Sequence, residues 1–322
     1  MNCFTLRALR TFVTVAECGT ISAAAERLGR SQGSVSTTVS EFEAHVGLQL
    51  FVRKPAKGLA LTPSGELVAL EARGLLAHAD EFESIAGALG NAVEGQLTVG
   101  CFTNLAPVVF ANIMGSFSAR YPSIRIHIEI GDQEEILQGL KSGRIETALT
   151  FDLGLSDQFH AVPMAELQAF AVLPESHPLA GRQSVRLGDL APEPMILMDL
   201  PHTREYFLSL FYARGLEPNI RFRSSSFEAV RTLVGNGLGY SILNLKPALS
   251  TTYDGTRIVN VPLEDGVRPL KVVLVTLKRI AKRRLTMTFQ DFVRGFLVNW
   301  SKGQTAAARE GAAEIKANAE KI

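Results

Sequence analysis

The sequence predicts a multidomain protein of mixed α and α/β class, with a small helical unit, one long helix and a two-lobed α/β unit. The 322 residues exceed what a single hydrophobic core usually organises. Apolar residues have helical spacing from Leu6 to Val46, whereas strand-like and helical segments alternate after Gly95. We therefore expect units at 1–61, 62–90 and 91–300, followed by a frayed or disordered tail at 301–322.

Composition excludes several classes of protein. With 46% hydrophobic and 20% charged residues, the chain is globular rather than disordered or fibrous. It lacks an apolar run of about eighteen residues and a signal peptide, so we expect a cytoplasmic protein without a membrane span. Cys3, Cys18 and Cys101 show neither a CxxC pair nor metal-ligand spacing, and we expect reduced packing residues and no metal or cofactor.

The first unit has the punctuation of three short helices. Gly19 followed by Thr20, and Gly29 followed by Ser31, each supply a helix stop and an N-cap. Two helices joined by such a turn form a helix-turn-helix. Next, 50–54 and 59–61 read as short strands around a basic tip, so the unit is predicted to be a winged helix-turn-helix.

The helix at 31–46 is predicted to present short polar side chains to DNA. With Val35, Val39 and Phe42 facing inward, the helical period turns the intervening positions outward. Gln bonds adenine, Ser and Thr serve donors or acceptors, and Arg and Lys contact phosphates. Residues 1–60 also carry seven Lys/Arg against four acids, although the whole chain has a net charge of only +1. The candidate DNA-binding residues are Arg30, Ser31, Gln32, Ser34, Ser36, Thr37, Arg53 and Lys54. The alternative is a helical hairpin with an ordinary polar surface.

Thr62 and Pro63 predict the start of a long helix, because threonine is an N-cap residue and proline suits the first helical position. The helix should run to about Leu89. Its apolar positions are Leu67, Leu70, Leu75, Leu76, Ile85 and Leu89. A helix with such a stripe and no core of its own can pair with its copy in a second chain. The alternative is that it packs on its own chain.

Beyond Gly95 the pattern predicts two α/β lobes, at 91–162 with 267–300 and at 163–266. Strands are expected near 96–99, 125–130, 146–150, 168–173, 194–198, 220–224, 240–243 and 271–277. In such lobes, strand carboxyl ends and helix N-termini converge on a ligand in the cleft.

The chain resembles the LysR-type transcriptional regulators over about residues 5–300. The matching stretches are 9–17, Ala24 to Leu28, Ser31-Gln32, 50–53, 61–65, 117–122, 140–143, 177–180 and 234–239. The resemblance implies a winged helix-turn-helix, a dimerising linker helix and a two-lobed effector domain similar to periplasmic binding proteins. It also implies double-stranded operator DNA, a small-molecule effector and RNA polymerase as partners, and a homodimer or homotetramer.

Four positions depart from the family's usual residues. Gly33 stands where proline is usual and Thr37 where arginine is frequent, which weakens the charge of the recognition helix. Glu146 replaces the usual aspartate and Asn244 a frequent proline. The operator sequence therefore does not follow from the resemblance.

The resemblance places effector contacts after the first effector-domain strand, after the strand near 150, at the start of the helix near 203 and near the glycine-rich turn. Those positions are Thr103, Asn104, Phe151, Asp152, His202, Thr203, Ser225 and Ser226. Hydroxyls and helix N-termini suit a carboxylate. Asp152, if it faces the cleft, favours a ligand with an amine or hydroxyls. Asp152 could instead be a cap or surface acid, and His202 a solvent-facing loop residue.

Two further features have alternative interpretations. The basic run Lys278, Arg279, Lys282, Arg283 and Arg284 is either an additional DNA contact or a solvated charge cluster. Cys101 lies near the predicted cleft, but no resolving cysteine is nearby in sequence, which favours packing over redox sensing.

Two rival functions are an enzyme and a transport solute-binding protein. The sequence has no GxSxG, Walker, HExxH or strand-associated GxGxxG motif, so we expect no enzyme and no catalytic residues. The missing signal peptide and the first sixty residues oppose the transport function.

Overall fold

The computed structural model describes residues 4–54, 58–87, 95–264, 266–279, 283–298 and 300 of the chain. The predicted tail at 301–322 lies outside the described residues. The N-terminal unit consists of α1 (Leu6–Cys18), α2 (Ile21–Leu28), α3 (Gln32–Val46), β1 (Phe51–Lys54) and β2 (Gly58–Leu61). The two strands are antiparallel, which gives the predicted winged helix-turn-helix.

The caps at the two breaks between the three helices are those that the sequence predicts. Gly19 and Gly29 have φ of 67° and 62°, a left-handed conformation that glycine adopts without a steric penalty. The hydroxyls of Thr20 and Ser31 accept backbone N–H bonds from the first turns of α2 and α3. These local interactions fix the short turn between the two helices.

One aromatic cluster closes the core of the N-terminal unit. The ring of Phe12 lies 5.2 Å from that of Phe42 in α3 and 5.4 Å from that of Phe51 in β1. Each buried phenylalanine contributes roughly 1.5–3 kcal/mol. The wing also approaches the α1–α2 turn closely, because Leu59 N–H donates to Gly19 O at 2.7 Å. A Cβ on Gly58 would lie 2.4 Å from that oxygen, so the contact requires glycine.

The long helix α4 (Pro63–Gly87) packs on its own chain along one side and is exposed along another. The Thr62 hydroxyl caps it by accepting Gly65 N–H at 2.9 Å. Ala69 and Ala72 belong to the N-terminal core, and Leu70 packs into a cluster of the α/β unit from residue 95 onward, the predicted effector unit. The helix therefore joins the two units.

The effector unit contains ten strands and six helices among the described residues. The strands are β3 (Gly95–Phe102), β4 (Ile124–Gly131), β5 (Thr147–Phe151), β6 (Phe159–Leu167), β7 (Phe170–Pro174), β8 (Pro194–Met198), β9 (Asn219–Ser224), β10 (Ser241–Leu243), β11 (Ile258–Pro262) and β12 (Leu270–Leu277). The helices are α5 (Ala111–Arg120), α6 (Gln133–Lys141), α7 (Leu187–Leu190), α8 (Thr203–Tyr212), α9 (Phe227–Gly235) and α10 (284–298). A π-helical segment, Ala106–Phe110, precedes α5.

The strands form two lobes. The first lobe has a five-stranded sheet of order β4-β3-β5-β12-β6, in which β3, β4 and β5 are parallel. The second lobe has the strands β10-β7-β11 and the parallel pair β8-β9, connected by a bridge between Met195 and Tyr240. Strand β6 pairs with β12 as far as Leu167, so the chain leaves the first sheet after that residue rather than at the expected boundary of 163.

Strands β6 and β11 were not predicted, and for β6 Pro163 explains why. Proline lacks the N–H that a central strand needs, so its presence argues against a strand. Here β6 is the edge of the sheet, and Pro163 pairs with Val273 where the register shifts. The edge position tolerates the missing donor.

Candidate DNA-binding surface and effector cleft

The outer face of α3 consists of short polar side chains. Val35, Val39 and Phe42 are buried, as the helical period predicts. The exposed residues at its start and along its outer face are Ser31, Gln32, Gly33, Ser34, Ser36, Thr37 and Ser40. This face offers amide and hydroxyl groups with little bulk, the chemistry that reads base edges in the major groove.

The basic residues predicted beside this face differ in their freedom. Arg53 is exposed on β1. Arg30 is half-buried, and its guanidinium donates to the hydroxyl of buried Thr11 at 3.2 Å. The side chain of Lys54 lies outside the described residues. Arg53 is thus the exposed cation of this predicted set whose side chain is described.

A carboxylate that the sequence reasoning missed fixes the wing on α3. Glu43 Oε1 accepts the backbone N–H of Leu50 at 2.7 Å and of Phe51 at 3.0 Å. Charge-assisted bonds of this kind are about twice as strong as neutral ones. Glu43 therefore sets where β1 begins relative to the recognition helix, and no local sequence signal indicates so distant a contact.

The predicted effector cleft lies beside the carboxyl ends of parallel strands from both lobes. Strands β3 and β5 end at Phe102 and Phe151 in the first lobe, and β8 and β9 end at Met198 and Ser224 in the second. Asn104, buried after β3, donates to Met198 Sδ at 3.8 Å. The two lobes therefore meet beside these strand ends.

His202 forms a second contact between the lobes. It has φ of 62°, the sole positive φ of a non-glycine residue in the part of the chain that the structure describes. A Cβ on Gly154 would lie 2.6–2.8 Å from the His202 ring, so the imidazole packs directly on that glycine of the first lobe. The histidine is exposed but is also an inter-lobe contact.

The helix starts of the second lobe hold two predicted hydroxyl positions. Thr203, at the start of α8, is 2% exposed, and its Oγ1 has no hydrogen-bond partner among the described residues. Ser226 caps α9 by accepting Ala229 N–H at 3.3 Å, and Ser225 beside it is exposed. A buried hydroxyl without a partner is costly, so Thr203 is the member of the set best suited to a polar ligand.

The predicted residues of the first lobe have mixed environments. Phe151 is 1% exposed, and its ring packs 5.0 Å from that of Phe102, which places its side chain in the core. Thr103 and Asp152 are half-buried and both donate backbone N–H bonds, to Gly131 O and Lys271 O respectively.

Gln133, which sequence reasoning missed, organises the loop after β5. It is 1% exposed and donates to Phe151 O at 3.0 Å and Leu153 O at 2.6 Å. It also accepts a hydrogen bond from the Thr150 hydroxyl. A glutamine in the first turn of a helix is ordinarily exposed, so the sequence gives no sign of this role.

The basic segment at 278–284 is engaged within the chain. Arg279 pairs with Glu71 of α4, and buried Arg283 pairs with Glu146 at 2.9 Å and with Glu81 at 3.9 Å. Lys282 lies outside the described residues. These arginines connect the effector unit to α4, which neither earlier interpretation of the segment anticipated.

Cys101 is buried in the core, as the packing interpretation predicts. Burial raises the pKa of its thiol, so the reactive thiolate is disfavoured. Cys18 is half-buried in the N-terminal unit, and Cys3 lies outside the described residues. No helix within the described ranges has the length and apolar character to span a membrane.

Comparison with known proteins matches both units. Residues 6–66 match the model of the bacterial regulatory helix-turn-helix protein, lysR family, and residues 90–297 match the LysR substrate binding domain. A crystal structure of HinK, a LysR family transcriptional regulator from Pseudomonas aeruginosa, is 38% identical. The match covers 92% of this chain and 99% of that chain, with a TM-score of 0.63.

More distant relatives agree. A hydrogen peroxide-inducible genes activator of Pectobacterium carotovorum is 26% identical over 311 residues, which cover 92% of this chain and 99% of that protein. Full-length CbnR, solved with its target DNA, shares the fold with 22% identity, 91% and 100% coverage and a TM-score of 0.55. Because the family models account for both units, the chain belongs to the LysR-type transcriptional regulators, with a helix-turn-helix DNA-binding domain and an effector-binding domain.

Proposed function

We propose that α3 reads operator DNA in the major groove through Ser31, Gln32, Ser34, Ser36 and Thr37. Arg30, Arg53 and Lys54 supply phosphate contacts, with Arg53 the principal cation because Arg30 also binds Thr11. The proposal is carried by the continuous exposed polar face of α3, together with the exposure of Arg53 on β1. Gln32, the longest of these side chains, is assigned to an adenine edge.

Selection of duplexes from a random library, followed by fluorescence anisotropy, tests this assignment. Gln32→Ala should relax the preference at one base pair by about 1–3 kcal/mol. Arg53→Ala should weaken binding to all duplexes. It should also reduce the salt slope, the slope of the logarithm of the binding constant against the logarithm of the salt concentration, by about one in magnitude. The two substitutions thus separate base reading from phosphate contact.

Arg257→Ala is the matched control for the loss of charge. Arg257 is an exposed arginine of the second lobe that pairs with Glu175, and it should leave both affinity and salt slope unchanged. Equal effects of Arg53→Ala and Arg257→Ala, or unchanged base preference in Gln32→Ala, would contradict the assignment.

The effector is proposed to bind between the two lobes. The first lobe was predicted at 91–162 with 267–300 and the second at 163–266, and the boundary at 163 is moved to follow β6. The proposed contacts are Thr103, Asn104, Asp152, His202, Thr203, Ser225 and Ser226, with Phe151 acting through its backbone. The unpartnered Thr203 hydroxyl at the start of α8 favours a ligand with a carboxylate. Asp152 favours an additional amine or hydroxyl on that ligand.

A small molecule rather than peroxide is the proposed signal. Sensing by thiol oxidation needs an accessible thiolate and usually a resolving cysteine. Of the two cysteines within the described residues, Cys101 is buried with a raised pKa, and Cys18 belongs to a different unit.

The regulator is proposed to act as a homodimer or homotetramer and not as an enzyme. The exposed apolar face of α4 favours pairing with a second copy, which would place two α3 helices on two half-sites. Effector binding would change the relative position of the lobes and hence DNA geometry and contact with RNA polymerase.

A further inference from the structure

A cavity of about 100 Å³ lies where α4 meets the first lobe. Its walls come from α4, β3, the turn before β5, the end of β12 and the start of α10. Thr98, near the middle of β3, marks its position, and the predicted cleft lies where the strand ends at Phe102. At about 3.3 Å per residue, the cavity and the end of β3 are about 13 Å apart. The cavity is therefore separate from the effector cleft.

The cavity wall contains more cations than anions. Arg73, Arg144 and Arg283 line it, against a single lining carboxylate, that of Glu146. Each of the three arginines also has an acidic partner outside the wall: Glu129 contacts Arg144, and Glu81 lies 3.9 Å from Arg283 Nε. Glu17 is 3.8 Å from Arg73 Nε. That separation is too long for a hydrogen bond.

Three lining side chains retain donors that the protein does not satisfy. Arg73 Nε, Arg283 Nε and Thr276 Oγ1 are buried and have no hydrogen-bond partner among the described residues. Burial lowers the pKa of Arg73; Glu17 opposes that shift and nearby Arg144 adds to it. Carboxylates thus stand near each arginine, but these three buried donors remain without an acceptor, and an acceptor in the cavity would satisfy them.

The remaining wall is apolar. Ala77 of α4, Ile145 before β5 and Leu277 of β12 contribute hydrocarbon surface. A dianion such as phosphate matches this surface poorly and would also be repelled by Glu146. A molecule with one carboxylate and a short hydrocarbon body matches both parts of the wall.

We propose that this cavity binds a short-chain monocarboxylate, with its carboxylate beside Arg73 and Arg283 and its hydrocarbon body against Ala77, Ile145 and Leu277. The ligand would bridge α4 and the first lobe, because Arg73 belongs to the helix and Arg283 to the effector unit. Such a site adds a second chemical input, placed at the junction of the DNA-binding and effector-binding units. It does not depend on the identity of the cleft ligand.

Isothermal titration calorimetry of the full chain with butyrate tests the proposal. A titration with chloride at matched ionic strength is the reference. Butyrate should bind with one site per chain, and inorganic phosphate more weakly. Arg73→Gln should lower butyrate affinity about tenfold or more, because a charge-assisted hydrogen bond is removed. Arg279→Gln, which alters another arginine at the same junction outside the cavity wall, should retain wild-type affinity.

Thr276→Val is a second test that remains available if Arg73→Gln fails to fold. It keeps the shape of the side chain and should lower the butyrate affinity by about fivefold. Thr203→Val reports separately on the cleft and should leave the measured affinity unchanged. Absence of butyrate binding, equal binding by phosphate, retention of affinity in Thr276→Val or its loss in Thr203→Val would each overturn the proposal. The butyrate titration contains no DNA, so it does not test the proposed function. Loss of operator binding would count against the proposed function and not against this site.

Discussion

His202 carries conformational strain at a contact between the lobes. A non-glycine residue with positive φ costs about 1–3 kcal/mol and persists only where its surroundings enforce it. The imidazole rests on Gly154, which itself has φ of 64°. The strained residue therefore lies at a contact between the lobes, beside the proposed effector cleft.

Gly154→Ala should destabilise the chain by more than its backbone conformation alone requires. Any L-residue in the left-handed region costs about 1–2 kcal/mol. The added Cβ would also displace the His202 ring and separate the lobes locally, at a further cost of about 1–3 kcal/mol. Urea unfolding measures the free-energy difference.

Gly215→Ala is the matched control. Gly215 has φ of 67°, and an added Cβ would meet no atom within 4 Å. It should show the backbone cost alone, and in a His202→Ala background Gly154→Ala should fall to the same value. Equal destabilisation at both glycines in the native background would show that the inter-lobe contact carries no energy.

At the scale of elements, α4 presents three large apolar side chains to solvent. Leu67, Leu75 and Phe82 are 56%, 45% and 71% exposed. The helical period places them on one side, away from Ala69 and Ala72 in the N-terminal core. An apolar stripe of this kind on a long helix is typical of an interface with a second helix.

Phe82→Glu should convert the dimer to a monomer. Each buried phenylalanine contributes about 1.5–3 kcal/mol, and a two-fold interface loses the contribution twice, so dimer affinity should fall at least about a hundredfold. Size-exclusion chromatography with light scattering gives the mass. Leu249→Lys, at a leucine of the second lobe that is 72% exposed, should leave the mass unchanged. A Phe82→Glu chain of wild-type mass would exclude this face as the interface.

Sequence reasoning succeeds where local rules determine structure. Thr20 and Ser31 mark the starts of α2 and α3, and the helical period alone determines that Gln32 and Thr37 are exposed. Most predicted strands also lie within a few residues of those in the structure. It fails for β6, where Pro163 is tolerated because the strand is an edge, a fact that depends on the whole sheet.

The site shows the same division. The contacts of Glu43 with the start of β1 and of Gln133 with the loop after β5 join residues separated in the chain. The hydrogen bond from Arg30 to Thr11 likewise joins residues separated in the chain, and it restricts a side chain that was predicted to contact phosphate. Composition and spacing identify which residues are polar but not which partners they meet.

At the scale of the whole molecule, α4 makes polar contacts with both the DNA-binding and the effector-binding unit. Asp80 pairs with Arg10 of α1, and Arg73 donates to Ser142 O of the first lobe. Exposed pairs contribute little individually, about 0–1 kcal/mol, but here they accompany apolar packing on both sides. A displacement of the first lobe therefore reaches α1 through one helix.

The pH dependence of stability should report Glu146 at this junction. Burial raises the pKa of its carboxyl, although the Arg283 guanidinium and Thr98 N–H oppose the shift. The folded state therefore favours the protonated form, so this contribution to stability is present below the ordinary glutamate pKa. It is lost as the pH rises through the folded-state value.

Glu146→Gln should remove that loss, so its stability relative to the native chain should increase as the pH rises across the same interval. Thermal unfolding between about pH 4 and 8 measures the difference, whatever constant offset the lost pairing with Arg283 causes. Glu146→Asp keeps an ionisable group and should retain the native slope. Parallel pH profiles for Glu146→Gln and the native chain would show that the carboxyl titrates alike in both states.

Pro163, in the edge strand of the five-stranded sheet, has a consequence for aggregation at high protein concentration. Strand β6 lacks one amide donor and carries a register shift opposite Val273. An extended peptide from a neighbouring molecule cannot lay down an uninterrupted ladder there, so this rim is a poor template for amyloid-like growth. Pro163, which kept β6 from being predicted from the sequence, thus also opposes aggregation of the folded chain through this edge.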